Sequence, residues 1–171
     1  MPENTRPDIK VPYTKKYLLI DIFTLLGIVL SAAAVYIASR TLPDIFPTHF
    51  GLTGKPDGYG NPERFLRDML VFTGAQLFVW VLCSIPRFIP RHCNYPVKIT
   101  EGNAAVQYKL AVDLCYNLKI WVVATFMILE ICIIWSAFSG ELNILLVAVF
   151  IPLVIMAYLT IDFAKKSLKN K

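Results

Sequence analysis

Charged residues are scarce in this sequence. Aspartate, glutamate, lysine and arginine make up 17% of the 171 residues, whereas soluble domains carry about 25%. Hydrophobic residues make up 56%, compared with roughly 45–50% in soluble domains. The shortage of charge excludes an ordinary soluble domain and indicates a single membrane domain over residues 1–171.

Cysteine and histidine are also few, with four and two residues. No Cys-x-x-Cys pair occurs, so the sequence predicts neither a zinc site nor a disulfide framework. It also lacks a phosphate-binding loop and a dinucleotide fingerprint. The net charge is +5, but the lysines lie at the ends of apolar runs, where we expect them to face lipid headgroups. No nucleic-acid partner is therefore predicted.

Four apolar runs are long enough to cross about 30 Å of hydrocarbon, which takes about 20 helical residues. The sequence predicts an all-α integral membrane protein with helices at about residues 17–39, 62–85, 101–138 and 142–162. Asn61 and Pro62 are typical of a helix start. We expect Thr100 to cap the third helix, which begins with an extension outside the membrane; the alternative is an amphipathic segment that lies along the headgroups. Pro152 is expected to kink the fourth helix.

Lysine and arginine predict the orientation. Thirteen of them lie in the N-terminal tail, between the second and third helices, or in the C-terminal tail, and four lie on the opposite side, in the loop at residues 40–61 or at the start of the second helix. The positive-inside rule then places both termini and the helical extension in the cytoplasm. We expect a multi-pass protein of the cell membrane, with its loop at residues 40–61 facing outward.

Two polar residues, Gln76 and Glu130, are expected near the membrane midplane. Ionisable residues at that depth are rare and often functional. If the second and third helices are neighbours, a protonated Glu130 could hydrogen-bond Gln76. Two interpretations stay open: an interhelical contact worth about 0.6 kcal/mol, or a functional carboxyl that is proton-linked or contacts a substrate, as in a transporter-like protein. Asp21 and Asp162 are expected to form ion pairs near the membrane surface.

The loop at residues 40–61 is rich in proline, glycine and aromatic residues, which favours a structured, hairpin-like or Ω-type lid. Its candidate ligand-binding residues, together with one from the next helix, are His49, Asp57, Asp44, Phe50, Tyr59 and Arg67. A histidine among carboxylates can bind a divalent metal or act as an acid or base. If a metal binds, its ligands would be His49, Asp44 and Asp57. The alternative is structural, with His49 bonding the backbone and Asp57 capping a turn. We predict no catalytic residue and no cofactor, and leave a divalent metal open.

An apolar helix followed by "LPDIFPTHFGLTGKPDGYG" resembles the domain of unknown function in the N-terminal half of SdpI-type peptide-toxin immunity proteins. The matching residues are Pro47, His49, Phe50, Gly54, Pro56, Asp57, Tyr59 and Gly60. Gly51 stands where that family often has asparagine after the His-Phe pair. The resemblance implies a protein of the bacterial plasma membrane that senses, or protects against, an extracytoplasmic peptide.

Three functions stay open at this point. The first is a binding, immunity or sensing module that recognises an extracytoplasmic peptide or a membrane partner through the loop. The second is a small membrane enzyme or lipid-handling protein with a His/Asp site at the outer face. The third is a transporter-like protein that uses Glu130, for which self-association would be needed. We expect the first because of the resemblance.

Overall fold

The computed structural model describes residues 6–142 and 144–171. Four long helices form most of it: α1 (Lys15–Thr41), α2 (Pro62–Phe88), α3 (Ala104–Ser139) and α4 (Phe150–Lys169). Strands β1 (Phe46–Phe50) and β2 (Pro56–Gly60) form an antiparallel hairpin between α1 and α2. Two 3-10 helices, Pro90–His92 and Ile144–Val149, lie before α3 and α4.

All four helices are long and apolar enough to cross a membrane. Their outward surfaces carry large apolar side chains, such as Phe23 (67% exposed), Val71 (68%) and Val154 (67%). Apolar surfaces of this extent are stable in hydrocarbon, and a helix satisfies its own backbone hydrogen bonds there. The chain is therefore a helical multi-pass membrane protein.

Helix α3 packs against each of the other three long helices. It has 36 residues, so at about 1.5 Å per residue it is about 54 Å long, more than a bilayer core of about 30 Å. The surplus forms a helical extension before the membrane-spanning part. Against α1 the approach is close, because a Cβ on Gly27 would lie 3.2 Å from Sδ of Met127.

One end of the bundle, which we call the tail end, gathers residues 6–14, the segment 89–103 and the end of α4 around the start of α3. Arg6 Nη1 donates to the carbonyl of Cys93 at 2.7 Å, and the hydroxyl of Tyr108 donates to the carbonyl of Pro7 at 3.0 Å. The buried Gln107 holds the end of α4, because its Nε2 donates to the carbonyl of Ser167 at 2.9 Å. Ser167 Oγ donates back to Gln107 Oε1 at 2.6 Å. Residues 6–14 and the end of α4 therefore lie at the same end of the bundle.

Helix α2 begins at Pro62, where the sequence predicts it. Oδ1 of Asn61 accepts a hydrogen bond from the backbone N–H of Arg64 at 2.9 Å. The predicted cap of the third helix is wrong, because α3 begins at Ala104 and Thr100 lies in the preceding turn. Asn103 stabilises that turn: its Oδ1 accepts from the N–H of Thr100 at 2.9 Å and its Nδ2 donates to the carbonyl of Lys98 at 3.0 Å.

The fourth helix also differs from its prediction over residues 142–162. Helix α4 begins only at Phe150, after the 3-10 helix Ile144–Val149, and it continues to Lys169; residue 143 lies outside the described part. Pro152 therefore sits in the first turn of α4, directly after the 3-10 helix, and not in mid-helix as the sequence predicts. First-turn N–H groups have no intrahelical acceptor, and a proline there loses no hydrogen bond.

The hairpin packs on the opposite end of the bundle, the hairpin end. Phe46 is only 2% exposed and lies edge-to-face against Phe65, with ring centroids 5.7 Å apart. The same apolar cluster contains Val35, Ala38, Leu42, Met69 and Ala137. Phe46 thus anchors the hairpin on α1, α2 and α3.

Two glycines of β2 let its backbone approach β1 closely. A Cβ on Gly60 would lie 2.6 Å from Cγ2 of Thr48, and a Cβ on Gly58 would lie 2.9 Å from Cβ of His49. Non-bonded carbon atoms do not come this close in proteins. A side chain on either glycine would therefore clash with a β1 side chain. The glycines of the motif are therefore required by the pairing of the two strands.

We predict that Gly60→Ala destabilises the protein by about 1–3 kcal/mol, the usual range for overpacking. Thr48→Ser should rescue it, because serine lacks the Cγ2 atom that the new methyl group would strike. Gly74→Ala is the matched control, since no heavy atom lies within 4 Å of that Cβ and alanine suits a helix better. Unfolding in detergent micelles measures all three, and equal stability of the two alanine variants would contradict the prediction.

Candidate functional site

A cleft of about 510 Å³ opens beneath the hairpin. Its walls come from β1, from the outer turns of α2 and α3, and from the connection between α3 and α4. The lining residues are Phe46, Pro47, Thr48, His49, Phe50, Arg64, Phe65, Asp68, Met69, Phe72, Cys132, Ile133, Ser136, Ala137, Leu142 and Leu146. This volume lies within the range of roughly 300–1,000 Å³ that small-ligand sites occupy.

The charged groups at the cleft already have partners. Nε of Arg64 lies 3.5 Å from Oδ2 of Asp68, and Nε of the adjacent Arg67 lies 3.4 Å from Oδ1 of the same carboxylate. The remaining wall is mostly apolar. The cleft therefore suits an apolar group that makes a few hydrogen bonds at the rim, and it suits a free anion less well.

His49 reaches the cleft from the hairpin. Its Nδ1 pairs with the carboxylate of Asp57 across the two strands, and both side chains are exposed. Phe50, half-buried, lines the cleft with His49. Three other predicted site residues, Asp44, Tyr59 and Arg67, are exposed and do not line it.

The predicted metal set does not assemble. Within residues 6–142 and 144–171, no three His, Cys, Asp or Glu side chains come close enough together to hold a metal ion. The hairpin register pairs His49 with Gly58, and the neighbouring Asp57 reaches His49 with its side chain, whereas Asp44 precedes β1 and stays exposed. The three-ligand set of His49, Asp44 and Asp57 is thus corrected to a two-residue pair.

Gln76 and Glu130 meet inside the bundle. Nε2 of Gln76 donates to Oε1 of Glu130 at 2.8 Å, and the two residues are 0% and 2% exposed. This is the contact that the sequence predicts if α2 and α3 are neighbours. Ser31 of α1 also faces the carboxyl group of Glu130. The pair joins α2 to α3 in the apolar part of the bundle.

A second buried polar cluster, which we call the Lys119 network, lies nearer the tail end. The side chain of Lys119 is 0% exposed, and its Nζ lies 2.6 Å from Oδ1 of Asp21 and 2.8 Å from Oγ of Ser84. The same ammonium lies 4.3 Å from the ring centroids of both Trp80 and Tyr116. The network joins α1, α2 and α3 through one fully paired charge.

Tyr13 closes the network from the N-terminal segment. Its hydroxyl donates to Oδ2 of Asp21 at 2.8 Å, while the guanidinium of Arg87 lies over its ring at 4.6 Å. Desolvation and the hydrogen bond to Asp21 raise the pKa of Tyr13 to about 12. The phenol therefore stays protonated and donates to the carboxylate at neutral pH.

The expectation from the sequence that the lysines face lipid headgroups is wrong for Lys119, which is buried. It points into the bundle because Asp21 and two aromatic rings replace its hydration. The signal that could have found it is the placement of Asp21 and Lys119, with opposite charges, near the starts of the first and third apolar runs. Asp162 does behave as expected, since Lys166 Nζ lies 2.7 Å from its Oδ2.

Four apolar helices, a hairpin over one end and a cleft beneath it define the class of protein as a small multi-pass membrane protein. The profile of a family described as a domain of unknown function (DUF1648) matches residues 26–66, which span the second half of α1, the hairpin and the start of α2. An uncharacterized protein of Archaeoglobus fulgidus is 31% identical over 133 residues, which cover 71% of this chain and 72% of that protein. The chain therefore belongs to the family of that protein. No solved structure matches it.

Lys119→Met should destabilise the protein by about 3–5 kcal/mol, because it leaves the carboxylate of Asp21 without its buried partner. The matched control is Lys16→Met: that lysine is 56% exposed, lies 3.4 Å from Asp113, and its loss should change stability by less than about 1 kcal/mol.

Adding Asp21→Asn to Lys119→Met should recover part of the loss, since no charge then lacks a partner. Unfolding in mixed micelles measures each variant. Equal effects of the two lysine substitutions would contradict a stabilising role for the Lys119 network.

Proposed function

We propose that this chain is a membrane-embedded binding module that holds an apolar segment of an extracytoplasmic peptide, free or part of a membrane partner, in the cleft beneath its hairpin. The single observation that carries the proposal is the cleft itself. It is apolar, sized for a few side chains, and covered by the hairpin, whose sequence motif the family profile matches.

The orientation supports this proposal. The tail end collects most of the lysine and arginine residues, and the positive-inside rule assigns such an end to the cytoplasm. The hairpin and cleft then face outward, where a peptide from another cell would arrive. The resemblance of the hairpin motif to SdpI-type immunity proteins favours the same kind of ligand.

The lipid-handling alternative has less support. It needs a cation at the cleft to grip an anionic headgroup, but Arg64 and Arg67 both lie against Asp68. The His49–Asp57 pair spans the hairpin, which favours a role in holding the cover over the cleft. We therefore assign these two residues to the shape of the binding site.

The test uses purified protein in lipid nanodiscs and a panel of synthetic apolar peptides. A peptide that binds the folded state raises the melting temperature, and at a concentration of about 100 times Kd it adds about 2.7 kcal/mol of stability. Leu146→Trp, which fills the cleft from its α4 side, should abolish the shift.

Val147→Trp is the matched control. Val147 is the next residue, is 64% exposed and does not line the cleft, so this variant should keep the shift. A peptide-induced shift that survives in Leu146→Trp would rule out the cleft as its site. If no peptide shifts the melting temperature of the wild-type protein, the proposed function is wrong.

The orientation has its own test, in which Cys93 is replaced by serine to remove the thiol nearest the tail-end surface. Thr53→Cys places a thiol in the turn of the hairpin, and Lys98→Cys places one at the tail end; both positions are exposed. In intact cells a membrane-impermeant maleimide should label the first and should label the second only after lysis. The reverse pattern would invert the proposed topology.

A further inference from the structure

Two hydrogen-bonding atoms at the Gln76–Glu130 contact lack a partner within the described part of the chain. They are Oε1 of Gln76 and Oε2 of Glu130, and both belong to side chains that are at least 98% buried. Buried polar atoms are nearly always hydrogen-bonded, and leaving one unpaired costs about 1–3 kcal/mol. Two unpaired oxygens on adjacent side chains therefore need an explanation.

A single proton would give both oxygens a hydrogen-bond partner. The amide N–H of Gln76 already donates to one carboxyl oxygen of Glu130, so the remaining amide oxygen and carboxyl oxygen are both acceptors. Two acceptors cannot bond to each other, but one hydrogen between them pairs both. A carboxylic acid and a primary amide then form a ring of two hydrogen bonds, with O–H to amide oxygen and N–H to carboxyl oxygen.

The lack of an unpaired positive charge near Glu130 within the described residues also favours a protonated carboxyl group. The groups that face its carboxyl are Gln76 from α2 and the hydroxyl of Ser31 from α1, and both are neutral. A Ser31 hydroxyl that donates to the carboxyl still leaves Oε1 of Gln76 without a hydrogen, so it does not replace the proton. On α3 itself, Lys119 lies eleven residues earlier, about 16 Å along the helix, and Asp21 already neutralises it.

The other helices contribute no counter-charge at this depth. The nearest charged residues of α1 and α2 along the sequence are Arg40, nine residues after Ser31, and Asp68, eight before Gln76. The first charged residue of α4 is Asp162, in the second half of that helix. An ionised carboxylate in an apolar environment without a counter-charge is strongly unfavourable, whereas a protonated one is tolerated.

We propose that Gln76 and Glu130 form a proton-binding site at the centre of the bundle, in which a proton on Oε2 of Glu130 is donated to Oε1 of Gln76. The site stands apart from whatever the cleft binds, and it is tested without a peptide.

The position of this site relates it to the cleft. Phe72 lies four residues before Gln76, and Ile133 lies three after Glu130, so each is about one helical turn away on the same helix face. Both line the cleft. Loss of the proton would place a negative charge one turn beneath the apolar floor of the cleft.

Infrared spectroscopy of the protein in lipid vesicles, grown with ¹³C-labelled glutamate, tests the proposal directly. At neutral pH the labelled wild-type protein should show the carbonyl band of a protonated, hydrogen-bonded glutamic acid. Glu63, Glu101 and Glu141 are exposed and should contribute carboxylate bands only. Glu3 lies outside the described residues, so the assignment of the acid band depends on the Glu130 variant. Glu130→Gln should remove the acid band, and Glu63→Gln, the matched control, should keep it.

Gln76→Leu distinguishes a proton shared with the amide from a proton held by burial alone. It should keep the acid band but move it to the higher frequency of a carboxyl group that has lost its hydrogen-bond acceptor. An unmoved band would overturn the assigned acceptor, Gln76 Oε1. Absence of the acid band from labelled wild-type protein at neutral pH would overturn the whole proposal. In that case, carboxylate bands that change when sodium is added would identify a cation site instead. The wild-type spectrum decides this even if a variant fails to fold.

Discussion

A polar side chain buried inside a helical bundle needs a partner within the protein, and in this chain α3 shares such a pairing with each of the other three long helices. Lys119 pairs with Asp21 of α1 and Ser84 of α2, Glu130 receives a hydrogen bond from Gln76 of α2, and Gln107 exchanges hydrogen bonds with Ser167 of α4. Because lipid is as apolar as leucine, burial of apolar surface does little to associate helices in a bilayer. Polar contacts and close packing must instead define which helices are neighbours, and α3 makes at least one such polar contact with each of the others.

The hairpin end depends on a different interaction. There the chain leaves the apolar helices, and the hairpin is held by one buried ring, Phe46, packed against Phe65. Glycines in β2 then bring its backbone against the side chains of β1, and the His49–Asp57 pair spans the strands. The result is a stiff cover over an apolar cleft, built from a segment that contains no long apolar run.

The buried polar groups also connect the two ends. The Lys119 network lies toward the tail end, the Gln76–Glu130 pair lies further along α3, and the floor of the cleft begins one turn beyond. The proposed proton site and the cleft therefore share two helices, since α2 and α3 contribute residues to both.

The amino-acid sequence by itself determined the four apolar spans, the start of α2 at Asn61 and Pro62, and the turn-rich character of residues 40–61, because these depend on local composition and on capping chemistry. It also indicated that Gln76 and Glu130 share a depth, since counting along a helix measures depth. Local pattern was misleading at Thr100 and Pro152, where a neighbouring turn and a 3-10 segment moved the helix starts. Only the tertiary structure decided that Lys119 points inward, that Asp44 stands apart from His49 and Asp57, and that a cleft lies beneath the hairpin. The physical reason is that each of these depends on which face of one helix or strand meets another, and contacts between segments far apart in the chain leave no periodic signal in either segment.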